Sequence, residues 1–156
     1  MDEAARRALM AQYEAGYQAV GEALGRLAGE QMDARPAPDE WSPREIVHHL
    51  ADSEMVAALW LRRLLAEERP ALRGYDESEY AQRLHYDRPI EASLEALKAA
   101  RRTTAELLQR LSEPEWARAG SLDDTDHFTV ERWLEMYASH AQDHAGQILQ
   151  AAPAAG

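Results

Sequence analysis

Four stretches of this chain repeat apolar residues at intervals of three and four, and apolar and polar residues alternate almost nowhere. That pattern constrains the fold more than any other feature. It marks amphipathic helices and leaves little material for a sheet. The first stretch runs from about Glu3 to Leu27, with Leu9, Tyr13, Gly16, Val20, Leu24 and Leu27 on one face. MDARPAPDE ends it, since two prolines in a polar run suit a loop. The second begins sharply in WSPREIVHHLADSE. Ser42 fits the N-cap, Pro43 the first helical position, and Glu45 closes a capping box. Its inner face is Ile46, Leu50, Ser53, Ala57, Trp60 and Leu64.

The third stretch starts near Pro89 and reaches about Leu111, with Ile90, Leu94, Leu97, Thr104, Leu108 and Leu111 inward. Thr129 can cap the fourth, which carries Trp133, Tyr137, His140, His144 and Ile148 on one stripe. The economical solution is an all-α four-helix bundle, read as a single domain over residues 1–156. GYDESEYAQRLHYDRP, between helices two and three, is long for a compact domain. It permits a crossover instead of a hairpin, and is expected to cover or line a site. GSLDDTDHFT reads as a loop or turn pair.

The formal charge of -11 and pI near 4.9 offer no basic face for nucleic acid and disfavour an anionic membrane surface. There is no cysteine, which excludes disulfides, thiolate metal sites and a cysteine nucleophile. Any thiol chemistry must bring its sulfur in on a small molecule. MDEAARRALM lacks the apolar core of a signal peptide, and no apolar run approaches the roughly 18 residues of a membrane span. A cytoplasmic protein is the expectation.

At about 100° per residue, Trp133, Tyr137, His140, His144 and Ile148 fall within an arc of roughly 80°. Two imidazoles one turn apart therefore share the inward face. Such a pair alone is common in ordinary cores. His49, at the edge of the second helix's inner face, supplies the third. Three imidazoles beside apolar residues are costly to bury without partners. One divalent metal satisfies all of them and leaves a fourth position open, as in catalytic rather than structural sites. His48 points roughly 160° from the inner face on the same periodicity and is expected to face solvent. His85 and His127 fall in loops, where exposure is the ordinary reading. Asp52 and Asp143 are expected at the surface, although each neighbours a ligand and could orient it. Tyr137 is read as core, and Trp41, Trp60 and Trp133 as core or pocket wall.

WSPREIVHHLADSE, GYDESEYAQ, PIEASLEAL and YASHAQDHAGQI together resemble the DinB-like superfamily, most of all its bacillithiol S-transferase-like branch. The resemblance spans about Tyr13 to Ala151. It implies a bundle in up-down-down-up order and a metal, zinc or nickel, held by His49, His140 and His144. It implies a homodimer. It also implies an enzyme that transfers a low-molecular-weight thiol to an electrophilic small molecule, as in detoxification. Zinc's affinity for sulfur suits that chemistry, and Arg44 or Arg83 could attract an anionic thiol. The alternatives are metal-dependent hydrolysis of a small amide or ester, for which no proton shuttle is visible in the sequence, and a non-enzymatic, metal-stabilised binding protein. The loop SLDDTDHFT carries no assignable substrate residue.

Overall fold

The computed structural model describes residues 1–151, so the last residues of the expected 1–156 domain lie outside the described part. Four helical arms form the body. They are α1 (Glu3–Leu24), α2 (Pro43–Ala66), α4 (Glu91–Leu108), and a fourth arm broken into α6 (Val130–Tyr137) and α7 (His140–Ala151). Short helices α3 (Glu77–Arg83) and α5 (Glu113–Trp116) lie in the connections, with a 3₁₀ turn at Gly29–Asp33.

Helix α2 starts as its sequence dictates. The Ser42 side chain accepts from the Glu45 amide, the Glu45 carboxylate accepts from the Ser42 amide, and Pro43 opens the helix. Thr129 caps α6 by accepting from the Arg132 amide. The fourth helix is not continuous as expected: it breaks at Ala138–Ser139, immediately before His140.

Side-chain pairings give the helix directions. Arg6 meets Glu131, and Gly16 approaches Ala141, so α1 runs parallel to the fourth arm. Tyr13 meets Arg101 and Glu14 meets Gln109, with Tyr17 against Lys98, so α1 and α4 are antiparallel. His48 pairs with Ser93, and Arg62 with Thr104, so α2 and α4 are parallel. The order is up-down-down-up, as expected. Parallel α2 and α4 require the crossover of residues 67–90.

That crossover is tied down by a feature the sequence did not announce. Strands β1 (Ala71–Leu72), β2 (Ala119–Leu122) and β3 (Thr125–Thr129) form a small sheet. β1 pairs parallel to β2, Ala71 opposite Ser121, and β2 pairs antiparallel to β3, Gly120 opposite Phe128. GSLDDTDHFT is thus a hairpin. Asp123 turns at φ 48° and its carboxylate accepts from the Gly74 amide, holding the crossover against the hairpin. Leu72 and Phe128 close that end of the core.

The apolar interior falls into two clusters. One gathers Tyr13, Trp60, Leu64, Trp116, Phe128, Trp133 and Tyr137 near the sheet; the other gathers Val20, Ile46, Leu50, Leu97, Ala141 and Ile148 toward the opposite end. Arg101 and Glu54 are buried with them, 3% and 1% exposed. No helix among the described residues is long and apolar enough to cross a membrane.

Candidate metal centre

His49 reaches the interior from the second turn of α2, while His140 opens α7 and His144 follows one turn later on the same face. The three rings converge. Their centroids lie 5.6 Å (His49–His140), 4.7 Å (His49–His144) and 4.7 Å (His140–His144) apart. One nitrogen from each lies within 4.8 Å of the others. The three residues expected from spacing are therefore neighbours in space.

Burial makes all three neutral at neutral pH. It pushes His49 down to about 3, with the positive forms of His144 and His140 adding to the effect. It pushes His140 down to about 4, helped by His144 and Arg101 and opposed by Asp143. His144 is lowered for the same first reason, against a raising hydrogen bond to Gln147. Nδ1 of His144 lies 2.7 Å from the Gln147 amide oxygen. That oxygen can only accept, so Nδ1 carries the hydrogen and Nε2 keeps its lone pair. Nδ1 of His49 is buried with no hydrogen-bond partner.

Trp41 packs on the His49 ring at 4.7 Å between centroids, and Tyr137 on His140 at 5.6 Å. Trp41 also lines a cavity of about 350 Å³ that opens onto His144, so it is pocket wall, whereas Trp60 and Trp133 are core. The crossover does line this cavity. Glu77, at the first turn of α3, faces it together with Asp39, Glu40 and Gln147. Burial pushes the Glu77 carboxyl above its ordinary value, and Asp76 adds to the rise. Glu77 is the residue sequence reasoning missed. Its role depends on where the crossover lands, which no local signal gives.

Two expectations fail beside the site. His48 is fully buried, not exposed: Nε2 donates to the Arg88 carbonyl at 3.0 Å, and Nδ1 faces the Ser93 hydroxyl at 2.8 Å. Asp52 is buried and accepts from the Tyr86 hydroxyl at 2.7 Å. The reason is common to both. α2 is covered on its second side by α4 and by the crossover, so it has two inward faces. Asp52 therefore holds Tyr86, not His49. Asp143 is exposed as expected and accepts from Ser139. His85 and His127 are exposed, His127 on β3 and not in a loop. Arg44 and Arg83 pair with Asp33 and Glu79, and neither lines the cavity.

Known proteins share this fold. A protein of Oceanobacillus iheyensis named "Putative metal-dependent hydrolase" is 33% identical over 122 residues, 78% of this chain and 71% of that protein. "Putative metal-dependent hydrolase YfiT" of Bacillus subtilis is 30% identical over 132 residues, 83% of this chain and 74% of its own. The solved structure of YfiT, described as "a probable metal-dependent hydrolase with an unusual four-helix bundle topology", superposes with a TM-score of 0.89 at 25% identity, covering 97% of this chain and 87% of that one. The up-down-down-up path is thus shared with a solved relative. The sequence model of the DinB superfamily matches residues 12–148, a span that reaches into all four helical arms and includes the three convergent histidines, and the chain belongs to that superfamily.

Proposed function

We propose that this protein is a metal-dependent hydrolase of small amides or esters, in which His49, His140 and His144 hold one divalent cation, zinc or nickel. The donor set fits such an ion. All three imidazoles are neutral, as ligation requires, and the buried, unpartnered Nδ1 of His49 is the kind of atom a bound cation satisfies. Three nitrogen ligands leave a further position for water or substrate. A cation held there supplies Lewis acidity, polarising a carbonyl and lowering the pKa of water.

The observation that carries the hydrolytic reading is Glu77, a carboxylate on the wall of the cavity that opens onto His144. Hydrolysis needs a group that takes a proton from the attacking water and returns it to the leaving nitrogen or oxygen as the bond to the carbonyl carbon breaks. Glu77, exposed on the cavity wall with its carboxyl raised by partial desolvation and by Asp76, is the carboxylate placed to make both transfers. Trp41 and Pro36 form an apolar part of the cavity wall, and Gln147 holds the His144 ring in the tautomer that presents Nε2. The names of the Oceanobacillus and Bacillus relatives support the same chemistry.

Thiol transfer to an electrophile would use the same histidines, but a displacement of that kind needs only loss of the thiol proton, with none returned to a leaving nitrogen or oxygen. It would also place a thiol, anionic in many small metabolites, against a cavity lined by Asp39, Glu40 and Glu77. A homodimer belongs to the same proposal. Met55 and Leu59, one turn apart on α2, are 47% and 57% exposed, an apolar pair that a second copy would cover.

Turnover of p-nitrophenyl acetate and a small anilide by zinc-loaded and nickel-loaded protein, with and without added thiol, tests the reading. Hydrolysis without thiol is expected. Turnover only when a thiol and an electrophile are both supplied would replace hydrolysis with transfer. No turnover of either kind in metal-replete protein would leave a metal-stabilised binding protein.

A further inference from the structure

Tyr75 carries a hydroxyl that the fold buries and leaves without a protein hydrogen-bond partner. Its position is fixed from both sides. The Gly74 amide donates to the Asp123 carboxylate, and Asp76 caps α3 by accepting from the Glu79 amide. The Tyr75 ring packs on Tyr80 at 4.3 Å between centroids. Two tethers and a ring contact thus hold one phenol of the crossover in place.

The hydroxyl belongs to a polar patch beside the histidines. Ser53 follows His49 by one turn, and Tyr137 precedes His140 by three residues. Helix α2 and the fourth arm run in opposite directions, so both residues lie on the same side of the imidazoles. Ser53 and Tyr137 are 3% and 6% exposed, and Tyr137 meets the His140 ring edge-on at 5.6 Å. Tyr75 adjoins both. Burial and then the neighbouring Tyr75 raise the Tyr137 hydroxyl, and Ser53 acts against the rise in both phenols. Nearby carboxylates are committed elsewhere: Asp52 accepts from Tyr86, and Glu54 from Tyr13 and Arg101. Burial pushes the Tyr75 hydroxyl up to about 12, opposed by Ser53 and helped by Glu77 and Asp52, so at neutral pH it keeps its proton and donates.

From this placement we infer that Tyr75 is an oxyanion donor, whose hydroxyl gives a hydrogen bond to the substrate carbonyl oxygen as that oxygen gains negative charge. This rests on the hydrolytic proposal and adds a residue to it. As water adds to the carbonyl carbon, the π electron pair moves onto the carbonyl oxygen, and the Tyr75 O–H meets that charge without giving up its proton. When the pair returns, the bond to the leaving nitrogen or oxygen breaks, and Glu77 supplies the proton the leaving group needs. A buried donor with no protein acceptor is costly to the fold. Here it is an acceptor on the substrate that completes it, and a donor already held in place needs no reorganisation during the reaction.

Tyr75→Phe deletes the hydroxyl and keeps the ring on Tyr80. With zinc-loaded protein and p-nitrophenyl acetate, kcat is expected to fall about 10²-fold, with KM within about twofold of wild type. The urea midpoint of the metal-free variant is expected to match or exceed that of wild type, because no hydrogen bond within the protein is lost. Methylphosphonate, a tetrahedral anion with no ester or amide bond to cleave, is expected to bind zinc-loaded wild type about tenfold tighter than the variant by titration calorimetry. Equal non-zero kcat in the two proteins, equal affinity for methylphosphonate, or a lower urea midpoint in the variant would overturn the inference. Failure of the two ideas is separable. Thiol-independent hydrolysis with equal kcat sinks the role of Tyr75 alone. A wild type that hydrolyses neither ester nor anilide, yet binds methylphosphonate tenfold tighter than the variant, sinks the hydrolytic reading alone and leaves Tyr75 as a donor to a bound oxyanion.

Discussion

Glu54 and Arg101 face each other at 2.7 Å in the middle of the bundle, with 1% and 3% of their side chains exposed. Arg101 also donates to the Tyr13 carbonyl from Nε and Nη2, and the Tyr13 hydroxyl donates to Glu54. The network joins α1, α2 and α4 through one set of buried polar groups. Burial pushes the Glu54 carboxyl up, and the Arg101 charge opposes it. Removing one partner leaves the other desolvated and unpaired. Arg101→Met is therefore expected to destabilise the fold by about 3–5 kcal/mol, measured by urea unfolding. Glu54→Leu combined with Arg101→Met should recover much of the loss, because no lone charge remains.

Gly16 lies where α1 packs tightly against α7. A Cβ there would sit 2.8 Å from the Ala141 Cβ and 2.8 Å from Arg101 Nη2. Gly→Ala in an open helix interior stabilises by about 1 kcal/mol. At Gly16 overpacking reverses the sign, and Gly16→Ala is expected to cost about 1–3 kcal/mol in the same unfolding measurement.

The metal-free protein should lose stability in mild acid. His49 and His140 are held at about 3 and about 4 in the folded chain, against about 6.5 when unfolded. Below that unfolded value the unfolded chain binds protons the native chain refuses, so stability falls as pH falls. The loss at pH 5 is about 2 kcal/mol for each histidine. Comparing unfolding at pH 7 and pH 5 in metal-free wild type and His140→Gln isolates one share. The variant should lose about 2 kcal/mol less on acidification than wild type.

Glu77→Gln removes the proposed proton carrier without touching a metal ligand. Thiol-independent hydrolysis is expected to drop about 10²–10⁴-fold, with metal content unchanged by elemental analysis. A variant as active as wild type would leave the hydrolytic reading without its proton path.

What could be read from the chain follows from which signals are local. The four helical stripes, the Ser42–Glu45 cap and the Thr129 cap act over one or two turns, so they are visible in sequence. The His49, His140 and His144 convergence is legible because spacing on two amphipathic faces leaves few other arrangements. The small sheet is different. Its strands are two to five residues long, too short for alternation to register, and β1 finds its partner far along the chain. His48 and Asp52 escape a single-stripe reading because α2 has two inward faces. Arg101 occupies the gap in the apolar stripe between Leu97 and Thr104, an inward position that a stripe of apolar residues alone passes over. Glu77 depends on how the crossover folds back, and only the folded chain supplies that.

The central claim is that His49, His140 and His144 share one divalent ion. Elemental analysis of untagged protein by plasma mass spectrometry, after exposure to zinc or nickel and removal of free ion, tests it most directly. Near one metal per chain in wild type, with loss of that metal in His49→Ala and His144→Ala, is the predicted result. No bound metal in folded wild type after saturation with either ion would contradict the account, and the three imidazoles would then be packing residues of the bundle.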